Sequence, residues 1–142
     1  MVLGTAQFGM DYGIANISGR PTKKQVFDIL DLAWEKKVRR FDTAPGYGSE
    51  IILGEFITAN GLQDEAIVLT KIPSQENSSD YRKSIWSSLK TSLNYLGCPV
   101  DVLFFHNPAD SSLLLNEPRF FENLLHDYPV SKLGVSIYET QE

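Results

Sequence analysis

A single cysteine, Cys98, is the chain's whole supply of thiol, so no internal disulfide can staple it. Histidine is almost as scarce. His106 and His126 are the two present, and neither lies in a spacing that suggests a metal site. No apolar run approaches the ~18 residues of a membrane span, and no basic-then-apolar leader opens the chain. A cytoplasmic location without membrane contact is therefore expected. Positive charge is in deficit, with 13 Lys and Arg against 18 Asp and Glu and a net charge of -5 at pH 7. With a pI near 5.0, nucleic acid and anionic lipid are poor partners. The tight basic pairs Lys23-Lys24, Lys36-Lys37 and Arg39-Arg40 sit in or beside a helical pattern and read as solvated faces. Internal repeats are missing too, which sets repeat architectures aside. The glycines of the opening stretch "LGTAQFGMDYG" fall at 4, 9 and 13. That is not the G-x-G-x-x-G spacing, and it disfavours a Rossmann nucleotide site.

What is there is an alternation. With 142 residues, 42% hydrophobic and 22% charged, the chain suits one ordinary globular domain spanning residues 1–142. Short apolar runs, "VLGTAQFG", "VRRFDTA", "AIVLTKI", "VDVLFFH" and "KLGVSIY", are separated by stretches of helical period. Thr22 with Gln25 forms a capping box behind Pro21, and Val26, Ile29, Leu30, Ala33 and Trp34 follow on one face. Ser49 is placed to cap the next helix, which stops at Asn60-Gly61. Ile85, Leu89, Leu93 and Leu96 continue the pattern to Gly97, and a shorter helix covers Pro118 to Asp127. Five apolar runs alternating with helices predict a parallel sheet covered by helices. A doubly wound sheet and part of a (β/α)₈ barrel both remain open on this pattern.

Several polar residues punctuate the ends of those runs. Asp42 closes the second, Lys71 the third and His106 the fourth, while Tyr47 lies in the loop after the second. Singly, each has an ordinary reading: a strand-end cap, a snorkelling lysine, a loop hydrogen bond. In an α/β barrel, however, the C-terminal strand ends line one mouth, where active sites are built. A buried acid or lysine on a strand is costly unless paired, so Asp42 and Lys71 are expected to pair with each other. A phenol has a pKa of ~10 and donates protons poorly at neutral pH, and a nearby ammonium favours its ionised form. Tyr47 beside Lys71 would then protonate a carbonyl oxygen, with His106 orienting the substrate. None of these side chains supplies hydride, so a nicotinamide cofactor is required. His126 suits a helix C-terminus. Trp34 and Trp86 read as packing between helices and barrel, the glycines at 4, 9, 13, 46 and 48 as turns or close approaches, and Asp11 and Tyr12 as pocket lining in the loop after the first strand.

"LGTAQFG", "FDTAPGYG" followed by "SEIILGE", "LTKI", "LFFHNP" and "KLGVS" together resemble the landmarks of the aldo-keto reductase family, in the same order along the chain. The resemblance implies a catalytic tetrad of Asp42, Tyr47, Lys71 and His106. Tyr47 would be the general acid, Lys71 its modulator, Asp42 the partner of Lys71, and His106 the group that orients the carbonyl. It also implies that Gly4, Thr5, Asp42 and Ser136 lie near the nicotinamide end of NADPH, with NADH as the alternative donor. Ile137 stands where the family usually has Asn, and the loop between Gly48 and Ser49 is a residue shorter than the commonest pattern.

A complete (β/α)₈ barrel takes ~250 residues. The expectation is therefore a partial barrel carrying about the first five β-α units, without the later loops that hold most of a cofactor's phosphates. Such a half-barrel has open edges at its first and fifth strands. It is expected to dimerise, swap, aggregate, or be a fragment of a longer chain, and alone to bind NADPH poorly and turn over little. Two other readings stay open: a catalytically silent half-barrel serving as a structural or oligomerisation module, and a barrel lyase or isomerase forming a Schiff base at Lys71.

Overall fold

A computed structural model describes residues 1–13 and 19–137 of the chain. Five parallel strands form one sheet: β1 (Val2–Gly4), β2 (Arg40–Asp42), β3 (Ile67–Ile72), β4 (Val100–Phe105) and β5 (Val130–Val135). Their order in space is their order in sequence, β1-β2-β3-β4-β5. A doubly wound sheet reverses its order at a switch point, and no reversal occurs here among the described residues. The sheet has the running order of a barrel wall.

Helices α1 (Ala6–Gly9), α2 (Lys23–Glu35), α3 (Glu50–Ala59), α4 (Tyr81–Leu96), α5 (Ser112–Asn116) and α6 (Pro118–Asp127) fill the connections. The Thr22–Gln25 capping box is formed, with both reciprocal bonds starting α2. Gly97, at φ 64°, ends α4 in the left-handed conformation that a side chain would resist. The opening apolar run is shorter as a strand than its sequence suggests. It stops at Gly4 and turns into α1. In "KLGVSIY" the strand ends at Val135, and Tyr138 lies outside the described residues.

Alternation along each strand divides the sheet into two faces. Phe41, Val68, Ile72, Leu103 and Phe105 face the helices and are buried with Leu30, Leu53, Phe56, Leu89 and Leu124. Burying a large aliphatic or aromatic side chain stabilises by roughly 1.5–3 kcal/mol, so this layer holds helices to sheet. Trp34 stacks on Phe41 at 6.3 Å, as expected of a packing residue. Trp86 does not reach the sheet: it is 42% exposed and meets Phe120 of α6 at 5.7 Å. Helices α3 and α4 approach closely at Gly54, where a Cβ would lie 1.9 Å from the Tyr95 carbonyl oxygen. The other face of the sheet, carrying Gly4, Asp42, Lys71 and the residues in line with them, is the concave one.

Candidate functional site

The backbone ladder runs one residue past the ends of β4 and β5. The N–H of His106 donates to the Ile72 carbonyl at 3.1 Å, and that of Ser136 to the Phe105 carbonyl at 3.0 Å. The two side chains thus start from the same rim as Asp42 and Lys71. Gly4 lies in register with Asp42 across β1 and β2. The C-terminal ends of all five strands meet here.

Lys71 is the centre. Its side chain is 5% exposed, and its ammonium donates to Asp42 Oδ1 at 2.8 Å, Asp42 Oδ2 at 2.9 Å and the Thr43 carbonyl at 2.9 Å. An ammonium has three protons, so all are engaged. Tyr47 enters through its ring, whose centroid is 4.8 Å from Lys71 Nζ. The Tyr47 and His106 rings meet edge to face, 6.0 Å apart at 85°. The structure thus brings Asp42, Tyr47, Lys71 and His106 together. Burial of His106, and then the Lys71 charge, hold its imidazole below the usual histidine range, with Asp42 partly opposing. The ring is therefore neutral at neutral pH and can donate one N–H to a substrate oxygen.

The four residues nearest a nicotinamide by resemblance are not alike. Gly4 has open space where a Cβ would be, and Asp42 and Ser136 are part-exposed. Thr5 is 0% exposed. Its hydroxyl donates to the Asp42 carbonyl at 2.9 Å and meets Ser49 Oγ at 2.9 Å, turned inward rather than toward the concave face. Gly9 makes the close approach expected of it, since a Cβ there would fall 1.9 Å from the Tyr47 carbonyl oxygen. Gly13 and Gly48 have positive φ, whereas Gly4 and Gly46 show neither feature. Asp11 and Tyr12 are exposed after α1, and Gln7 Nε2 holds the Tyr12 carbonyl at 2.7 Å.

Two residues of the site's frame are hidden in the sequence. Ser49, placed as a helix cap by its position, makes no cap bond. It is fully buried and meets the hydroxyls of Thr5 and Thr43, each at 2.9 Å. Glu50 resembles an ordinary acidic residue in a first helical turn, yet it is 3% exposed and accepts from Thr70 Oγ1 at 2.7 Å. Burial raises its carboxyl above the usual range, opposed by bonds from Thr70 and Ser92. Only a run of hydroxyls at Thr43, Ser49 and Thr70 could have hinted at either.

Clefts of about 450 and 500 Å³ lie on the helical side, walled by α3 and α4. The first includes Pro45 of the Tyr47 turn and Glu50 in its lining, and neither is lined by Asp42, Tyr47, Lys71 or His106. Among the described residues, no group of three or more His, Cys, Asp or Glu side chains is placed to hold a metal ion. No helix there is long and apolar enough to cross a membrane.

Known proteins share this chain's sequence pattern and fold. Norsolorinic acid reductase of Emericella nidulans is 32% identical over 151 residues, covering 96% of this chain and 38% of its own. The aldo/keto reductase of Brucella melitensis superposes with a TM-score of 0.70 at 25% identity, over 99% of this chain and 50% of that one. An aldo-keto reductase from a Medee basin deep-sea metagenome library superposes with a TM-score of 0.66 at 28% identity, over 86% and 44%. The chain spans about a third of the length of the curated relatives it matches and about half of the solved structures. The five parallel strands with their helices correspond to that share of an aldo-keto reductase barrel. The model of the Aldo/keto reductase family matches residues 1–141, and the chain belongs to that family.

Proposed function

We propose that this chain supplies the catalytic face of an NADPH-dependent oxidoreductase that reduces an aldehyde or ketone to an alcohol. The observation that carries the reading is the grouping of Tyr47 and His106 around an ammonium held by Asp42, at the ends of three strands. The name of one relative, a reductase, supports the reductive direction.

The residues present fit the nicotinamide end of the cofactor in part. Gly4 leaves room beside the Asp42 carboxylate, and Ser136 offers a hydroxyl at the same rim. Thr5 would act there through the Asp42 backbone, because its hydroxyl is already bonded. NADH is the alternative donor. When bound, the nicotinamide supplies the hydride. His106, neutral, orients the carbonyl by donating N–H to its oxygen. Tyr47 gives that oxygen its proton as charge develops on it. Lys71 stabilises the tyrosinate left behind through its charge, since its protons are taken by Asp42 and Thr43. Asp42 keeps that ammonium charged and aimed.

A second reading has its own support: β1 and β5 each pair on one side only among the described residues. On that reading the chain is a silent half-barrel that pairs through these edges with a second copy or with further barrel strands. Schiff-base chemistry at Lys71 is disfavoured, because its nitrogen donates three hydrogen bonds, two of them to the Asp42 carboxylate, whereas a free amine is needed.

Oxidation of NADPH by the 142-residue protein, followed with a panel of small aldehydes at millimolar cofactor, tests the proposal. Slow aldehyde-dependent oxidation with weak cofactor binding supports it. No aldehyde-dependent oxidation favours the silent module. Borohydride trapping of a carbonyl compound on Lys71 would favour the lyase instead.

A further inference from the structure

Thr5, Thr43 and Ser49 are each 0% exposed, and their hydroxyls form a continuous chain. Its direction is fixed by chemistry. Thr5 Oγ1 donates to the Asp42 carbonyl at 2.9 Å, and a carbonyl can only accept. Thr5 Oγ1 therefore accepts from Ser49, and Ser49 in turn accepts from Thr43. Three protons make three bonds, all running from Thr43 through Ser49 and Thr5 to Asp42. No hydroxyl proton is left over, and no water reaches these atoms to substitute.

The geometry points to this one-way hydroxyl chain as the device that positions Tyr47 over Lys71. One end holds the backbone of Asp42, whose carboxylate grips the Lys71 ammonium. Its middle member, Ser49, stands two residues beyond Tyr47 and begins the turn into α3. Gly9 closes the loop from the other side, its Cα packed on the backbone of Tyr47 and Gly48. Glu50, the next residue, is bonded to Thr70, the neighbour of Lys71 on β3. The Tyr47 loop is thus tied to the strand ends that carry Asp42 and Lys71. Ser49, Thr43 and Thr5 are positioning residues, and none needs to touch substrate. The catalytic consequence rests on the reductase reading, whereas the positioning itself does not.

Ser49→Ala removes the middle of the chain. Thr43→Val removes one donor at nearly constant shape, and Thr43→Ser restores it. Ring-to-ring NOEs between Tyr47 and His106 in the 142-residue protein read the positioning without reference to turnover. The expected result is loss of at least half their intensity in Ser49→Ala, a smaller loss in Thr43→Val, and recovery in Thr43→Ser. Where turnover is measured, kcat falls about 10-fold or more while KM moves less than about 2-fold, because a misplacement near 1 Å acts on the reacting geometry. Unchanged NOEs in both Ser49→Ala and Thr43→Val overturn the inference. So does unfolding of both, which would make the hydroxyls supports of the fold at large. A parent protein without turnover counts against the reductase reading alone, and the NOEs still decide the positioning.

Discussion

Asp42 and Lys71 share one ion pair but occupy unequal surroundings, so removing either partner should have unequal effects. The Lys71 side chain is 5% exposed and that of Asp42 31%. Asp42→Asn keeps shape and one acceptor oxygen but leaves the buried ammonium without its counter-charge. Breaking a fully buried pair costs about 3–5 kcal/mol. Water reaching the exposed third of residue 42 places the loss at the low end, about 3 kcal/mol. Lys71→Met instead removes the buried charge, and the carboxylate left behind can turn to solvent. That loss is expected to be about 1 kcal/mol, mainly for the donors withdrawn from Asp42 and Thr43. Unfolding entropy scales as ~2.1 cal/mol/K per residue, about 0.3 kcal/mol/K for 142 residues. The melting temperature should fall by about 10 °C for Asp42→Asn and about 3 °C for Lys71→Met. The double variant should resemble Lys71→Met, because no lone buried charge remains. Thermal and urea unfolding of the four proteins measure all of this. A Lys71→Met protein more damaged than Asp42→Asn, or a double variant that loses the sum of the two singles, contradicts this ordering.

Other predictions concern the groups around this pair. His106 titrates below 6.5, so between that lowered value and 6.5 the unfolded chain binds more protons, and stability falls as pH drops from 6.5. Its NMR titration should move upward in Lys71→Met, and an unmoved titration contradicts the assigned role of the ammonium. Glu50 titrates above 4.5, so the folded chain binds more protons there and stability falls as pH rises through that window. Glu50→Gln keeps an acceptor for Thr70 and should be more stable than the parent at pH 8, by about 1 kcal/mol, with the gap closing near pH 4 in urea titrations. Gly9→Ala puts a Cβ 1.9 Å from the Tyr47 carbonyl oxygen; about 1–3 kcal/mol of stability and the Tyr47–His106 NOEs should be lost together.

How much of this could be read from the chain alone varied with how local each cause is. The Thr22–Gln25 box forms within four residues, and it is present as read. Asp42, Lys71 and His106 stood out because they interrupt apolar runs, and strand geometry carries them to one rim. Ser49 and Glu50 did not. Both sit where helix starts usually show polar residues, and their burial depends on α3 lying against β3 and on contacts with Thr5 and Thr70. Thr5 is hidden for the same reason, its hydroxyl being taken by a residue 44 positions away. Trp86 needed the placement of α6 to show that it packs helix to helix. The strand order, which separates a barrel wall from a doubly wound sheet, is a property of tertiary pairing that alternation does not encode.

Tyr47 is the proposed proton donor. Aldehyde-dependent NADPH oxidation by Tyr47→Phe, compared with the parent at millimolar cofactor, tests it most directly. Loss of a positioned general acid removes about 100-fold or more of the rate. That loss is expected with folding unchanged by thermal unfolding, and a Tyr47→Phe protein that turns over at the parental rate contradicts the assignment.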